Sequence, residues 1–275
     1  KQYLLNVKAI DHYIIYGDYL PVRDKNYLDI SAFAGSDNLD TLNGVIVFTD
    51  IYDRTKIECR SVGNYKVTPK IETLNTDYHI EYEDGNLEVK QKVIGISWTN
   101  LSHVYNGKAY LPKANATDLV SDYNDIVNIS LSGEQTNANA YYTSDVLFGS
   151  KYVASAISLD NSNYKLPSDN TSEFIIKQAP LSISVIPFEV TYGDEIIFSV
   201  NNLGANGFVN DESFDVLSGT LSYVTSYDTS NVNKRSVGSY DIKACGYGTL
   251  GNYEITYVDS VFALIQREVS VKTIK

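Results

Sequence analysis

The chain has no methionine, one tryptophan, two cysteines, three histidines and six prolines in 275 residues. Two cysteines cannot build the disulfide framework on which small extracellular folds with thin cores depend, so each module must be held by its own packed core. The histidines, His12, His79 and His103, have no metal-type partner at short spacing, so no metal site is expected. There is no Gly-x-Ser-x-Gly elbow, no phosphate-cradling glycine loop and no His-Glu-x-x-His, which argues against an enzyme and against a bound cofactor. Long apolar runs are missing too. Residues 45–48 and 261–265 are among the longest, far below the ~20 that a membrane-crossing helix needs. The opening residues carry no basic-then-apolar leader. Acidic residues outnumber basic ones for a net charge of −12, which disfavours nucleic acid and anionic membrane as partners.

Present instead are 23 tyrosines and a hydrophobic fraction of 43%, enough to pack a core and to exclude a disordered chain. The tyrosines recur with a period of about 87 residues. Tyr16-Gly17-Asp18 is echoed by Tyr105-Asn106-Gly107 and Tyr192-Gly193-Asp194. Leu42-Asn43-Gly44 returns as Leu131-Ser132-Gly133 and Leu217-Ser218-Gly219. Val62-Gly63-Asn64-Tyr65 returns as Gly149-Ser150-Lys151-Tyr152 and Val237-Gly238-Ser239-Tyr240. Asp77-Tyr78 is followed by Asn163-Tyr164 and Asn252-Tyr253, and each unit closes on an apolar run ending at Gln91, Gln178 or Gln266. The division this implies is 1–92, 93–179 and 180–268, with 269–275 opening a further repeat or forming a tail. Residues 2–16 match 178–192 without a gap, so both ends read as cut from a longer array.

Within a repeat the apolar period is two. Leu181, Ile183 and Val185 alternate with Ser182 and Ser184, and no helical stripe extends over three turns. Short strands separated by Gly, Asn, Asp and Ser predict an all-β chain of three tandem immunoglobulin-like antiparallel sandwiches. The linkers Lys90-Gln91-Lys92 and Lys177-Gln178-Ala179-Pro180 are neither Gly/Ser-rich nor Pro-rich, so the modules are expected end to end, as a rod. Tyr65, Tyr152 and Tyr240, each just after a turn glycine, are expected to bond their hydroxyls back to upstream backbone. Gly17 and Gly193 are expected at positive φ, and Asn106-Gly107 as a type I′-like pair.

This pattern of Tyr-Gly-Asp, Leu-x-Gly, Val-Gly-x-Tyr and Asn-Tyr-x-Ile-x-Tyr resembles the MBG domains of YGX type, immunoglobulin-like modules found in tandem in large bacterial surface and secreted proteins. Repeat three carries the resemblance most fully. Repeat two departs from it, with Trp98 and Tyr105-Asn106-Gly107. The resemblance implies a structural stalk or spacer at the cell surface or secreted, monomeric, with neighbouring domains of its own chain as partners and no direct membrane insertion.

The alternative is a glycan-binding adhesin module on repeat two, taking host or plant glycans or surface proteins. Its candidate ligand-binding residues are Trp98, Tyr110, Tyr123, Tyr141 and Tyr142, since sugars stack on exposed rings. The acidic pairs Asp122/Asp125 and Asp211/Glu212 read as solvated turn residues, with no ligand spacing for calcium. Cys59 and Cys245 read as half-buried small hydrophobes. The four glycosylation sequons of repeat two, at Asn100, Asn115, Asn128 and Asn170, read as coincidence. Lys8 and Asn86 stand in first and last strands, positions an isopeptide staple would use.

Overall fold

The computed structural model describes residues 2–31, 33–139, 141–143, 146–248 and 251–272, with backbone alone for 141–143 and 146–148. Among these residues there is no α-helix; strands are joined by loops and short 3-10 turns. The chain forms two compact units. One contains residues 1–97, 114–131 and 156–170, the other 98–113, 132–155 and 171–275. Each therefore joins a complete repeat to part of the middle one.

In the first unit, Tyr3–Ala9 lies between Leu28–Ile30 and Tyr78–Glu83 in a three-stranded sheet. A four-stranded sheet runs in the order His12–Ile15, Gly85–Lys90, Gly63–Glu72, Val45–Thr49. The alternation read from the sequence places Leu5, Val7 and Ala9 in the core while Asn6 faces out, as strand geometry requires. The second unit contains the same topology. Ala179–Val185 lies between Leu203–Asn206 and Tyr253–Val258, and the larger sheet runs Glu189–Thr191, Ser260–Ile265, Gly238–Tyr247, Gly219–Thr225.

The sheets are not antiparallel throughout, as the short strands suggested. First and last strands of a repeat pair in parallel. Tyr3 faces Tyr78, and beyond a shared break His12 faces Leu87 in the same register, so both strands change sheets together. In the third repeat Ala179 faces Tyr253 and Glu189 faces Ala263. The middle repeat keeps the rule, with Lys92–Val93 parallel to Tyr164–Lys165 in the first unit and Ser102–Val104 parallel to Thr171–Lys177 in the second. Parallel neighbours need a long crossover, and the whole middle of the repeat supplies it. At the break the strands nearly touch. A Cβ added to Gly85 would stand 2.3 Å from the Ala9 carbonyl oxygen; at the matching place in repeat three, Ser260 donates its hydroxyl to the Val185 carbonyl at 2.6 Å.

The Gly-x-Tyr signature does what its position predicts. Tyr65 donates to the Ser61 carbonyl at 2.7 Å and Tyr240 to the Ser236 carbonyl at 2.6 Å. Tyr152 reaches the Asn137 carbonyl at 3.2 Å. Gly63 and Gly238, at φ +155° and +156°, have open space where a side chain would go, so only the backbone angle calls for glycine. Lys8 pairs with Glu83 at 2.5 Å, and the Asn86 amide donates to Asn64, so the two residues whose positions would suit a staple each engage another side chain. Cys59 and Cys245 are free, half-buried thiols.

Two substitutions separate corner from core. Tyr240→Phe should cost about 1 kcal/mol, the worth of one neutral hydrogen bond. Phe262→Ala, emptying a site 1% exposed, should cost about 3–5 kcal/mol. Urea unfolding with tyrosine fluorescence measures both, and equal costs would contradict the assignment.

Candidate functional site

Two polar constellations, built alike, lie where one repeat meets the next. In the first unit, Tyr16, from the Tyr-Gly-Asp turn of repeat one, donates its hydroxyl to Asp125 Oδ2 at 3.0 Å. Tyr164, from the Asn-Tyr landmark of repeat two, donates to the same oxygen at 2.7 Å and accepts the Val120 amide hydrogen at 3.0 Å. The rings of Tyr16 and Tyr164 meet edge to face at 5.4 Å. In the second unit, Tyr105 and Tyr253 donate to the two oxygens of Glu212, at 2.5 and 2.6 Å. Tyr253 accepts the Val209 amide hydrogen at 3.1 Å, and these rings too meet edge to face, at 5.6 Å. One carboxylate thus holds a tyrosine from each side of the junction, in hydrogen bonds strengthened by its charge.

Glycine is needed for a second reason beyond its backbone angle. Gly17 and Gly107 have φ of +94° and +74°, and a Cβ on either would come within 2.4 Å of Val120 or Asn210 across the junction. Asn106 is not in the left-handed region, so the Asn106-Gly107 turn is not the I′ type expected; the glycine alone carries positive φ. Asparagines of the Asn-Tyr landmark also reach across. Asn163 Oδ1 accepts the Val62 amide at 2.9 Å, and Asn252 Oδ1 accepts the Ala138 amide at 2.9 Å.

At the linkers, the Gln91 amide donates to the Ser162 and Tyr164 carbonyls, and Gln178 does the same to Gly251 and Tyr253. At the first junction Arg54 adds a bond to the Gly17 carbonyl and an ion pair with Asp122, both at 3.0 Å. Arg60 lies 3.6 Å over the Tyr123 ring and 3.8 Å from Asp125.

Asp125 and Glu212 were expected to be solvated. Asp125 is in fact 10% exposed at its side chain and takes both tyrosines. The sequence does contain the signal that finds them: Asp37, Asp125 and Glu212 share the repeat period.

Of the five ring residues proposed for glycans, Tyr123 is buried in the first unit against Tyr16, centroids 5.3 Å apart. Trp98 and Tyr110 belong to the second unit, packed against its core; Tyr110 stacks on His103 at 4.1 Å and donates its hydroxyl to the Asn100 carbonyl. Tyr141 and Tyr142 lie in a strand paired with Val146–Phe148, and their side chains are outside the described residues. Among the described residues no group of three His, Cys, Asp or Glu is placed to hold a metal ion, and no helix is long and apolar enough to cross a membrane.

The MBG domain of YGX type matches residues 5–88 and 186–263, together more than half of the chain. The chain belongs to this family. No curated protein matches it at a significant level of similarity. The family places it among surface-associated repeat domains. In both matched MBG repeats the Tyr-Gly-x turn is present, and the structure gives that turn of repeat one a task, the latch on Asp125. The middle repeat, between the matched segments, uses Tyr105-Asn106-Gly107 for the same task on Glu212.

Burial, then the Asp125 carboxylate, push the Tyr16 phenol up to about 12. Burial and Glu212 push Tyr253 up to about 12 as well, and Tyr164 and Tyr105 are raised by burial and the carboxylate each donates to. These phenols therefore remain hydrogen-bond donors in the folded protein where an unfolded chain would ionise them, near pH 10. Their contribution to stability is complete below pH 10 and is lost as pH climbs through 12. Replacing Tyr16 by Phe should cost about 1.5–3 kcal/mol at neutral pH and flatten the fall in stability between pH 10 and 12. Denaturant midpoints across that range check both, and an unchanged slope would count against the latch. Gly17→Ala should destabilise more than Gly193→Ala. Both strain a positive φ, but a Cβ at Gly193 has only the Arg267 side chain nearby, at 3.6 Å.

Proposed function

We propose that the chain is a spacer: three tandem immunoglobulin-like sandwiches, divided as 1–92, 93–179 and 180–268, arranged end to end in the stalk of a bacterial cell-surface or secreted multidomain protein. The observation that carries this reading is the parallel pairing of first and last strands. An antiparallel pair would return the chain to the end where it came in. A parallel pair makes it arrive at one end of the repeat and leave at the other, so that each added module lengthens the array.

The junctions support the same reading. A linker of one residue, Gln91 or Gln178, whose amide is clasped by carbonyls of the next repeat, leaves little freedom at the joint, and the shared carboxylates resist bending there. Net negative charge of this size keeps such a spacer soluble and discourages self-association. The partners on this reading are the domains before and after it in the same polypeptide.

Small-angle scattering tests the proposal. Strands of ten to twelve residues at ~3.3 Å each give roughly 110–120 Å for three modules in line. A pair-distance distribution with a long tail to that length is the expected result, and a compact profile near half of it would remove the stalk reading.

A further inference from the structure

Repeat one carries the acceptor half of the junction latch. Tyr78 stands at the place of Tyr164 and Tyr253. It donates its hydroxyl to Asp37 at 2.7 Å and accepts the Ala34 amide hydrogen at 3.0 Å, the arrangement that Val120, Tyr164 and Asp125 make in one junction and Val209, Tyr253 and Glu212 in the other. In those junctions a second tyrosine arrives from the preceding repeat. Asp37 is exposed where Asp125 and Glu212 are half-buried. Here no tyrosine of a preceding repeat is present among the described residues: the Tyr3 ring of the opening strand lies 6.3 Å from Tyr78 and is 62% exposed, and Phe33 of the same repeat packs on Tyr78 edge to face at 5.9 Å.

The donor half is open in repeat three. Tyr16 and Tyr105 are 2% and 4% exposed, but the equivalent Tyr192 is 43% exposed. Its turn is already shaped: Gly193 has φ +90°, and Arg267 pairs with Asp194 and donates to the Tyr192 carbonyl.

We infer that Asp37 with Tyr78 forms a socket, and Tyr192-Gly193 the matching plug, for further repeats of this fold joined in tandem. This deepens the stalk reading by naming the partner at each end. Two observations point to a tandem neighbour as the occupant. Gln2 already makes the linker contact, donating to the Thr76 carbonyl at 2.8 Å, as Gln91 and Gln178 do where a repeat comes in. After Gln266, Val269 and Val271 are 80% and 90% exposed, at the places where Leu181 and Ile183 are wholly buried in repeat three. Outside any strand of the structure, this apolar alternation facing water fits a sheet supplied by the next module.

A tandem fusion in which Ile265 is followed directly by Gln2 of a second full copy sets Tyr192 of the first copy before Asp37 of the second. Tyr192→Phe and Asp37→Asn at that inner pair, singly and together, form a double-mutant cycle. Both changes are conservative, so the fold survives them. The expected result is non-additivity of about fivefold or more in the unfolding equilibrium, absent when the same substitutions are made at the two outer ends. Additive effects at the inner pair would overturn the inference. Sedimentation of the 275-residue chain itself separates sources of the occupant. A monomer at all concentrations supports a tandem neighbour, and head-to-tail oligomers lost in Tyr192→Phe would overturn that restriction. Coupling without an extended scattering profile would leave this inference standing and remove the stalk reading; an extended profile with additive substitutions would do the converse.

Discussion

One carboxylate shared by two tyrosyl hydroxyls is the interaction on which the junctions depend. Each phenol comes from a different repeat and presents a single proton, and a carboxylate with its lone pairs can accept both. Neither tyrosine could be buried alone without leaving a hydroxyl unsatisfied, and the acid could not be buried without donors. In repeat one, where no second phenol arrives, Tyr78 is buried but Asp37 stays exposed; sharing one carboxylate lets both phenols and the acid leave water together. That condition fixes the surrounding details: a glycine beside the incoming tyrosine so that backbone can approach closely, an amide hydrogen aimed at the second phenol, and apolar residues such as Val120 closing over the set.

Much of the local structure was legible in the sequence. Period-two alternation in Leu181, Ile183 and Val185 gives the buried face of a strand because side chains in a pleat point alternately to either side. Tyr65 and Tyr240 could be assigned to corners because a hydroxyl placed two residues past a turn glycine has upstream carbonyls within reach. The repeat itself was readable because five landmarks return in one order.

What could not be read is instructive for the same reasons. Strand direction is a property of pairing, and Tyr3–Ala9 has the same alternation whether its neighbour runs with it or against it; the parallel ladder with Tyr78–Glu83 left no mark in either segment. Asp125 and Glu212 looked like ordinary turn acids because their neighbours are Asn, Asp and Ser. Their role comes from a tyrosine about a hundred residues away in repeat n meeting one in repeat n+1, and only their place in the period distinguishes them. Positive φ at Gly17 was anticipated, but its second task, the close approach of Val120, is a tertiary fact.

The parallel ladder has a mechanical meaning. In the first repeat the incoming strand Tyr3–Ala9 and the outgoing strand Tyr78–Glu83 lie side by side in one sense, as do His12–Ile15 and Gly85–Lys90. Tension drawn through the backbone tries to slide these strands past one another, so their bonds share the load in shear and must yield nearly together, where an antiparallel hairpin pulled at its open end would unzip one rung at a time.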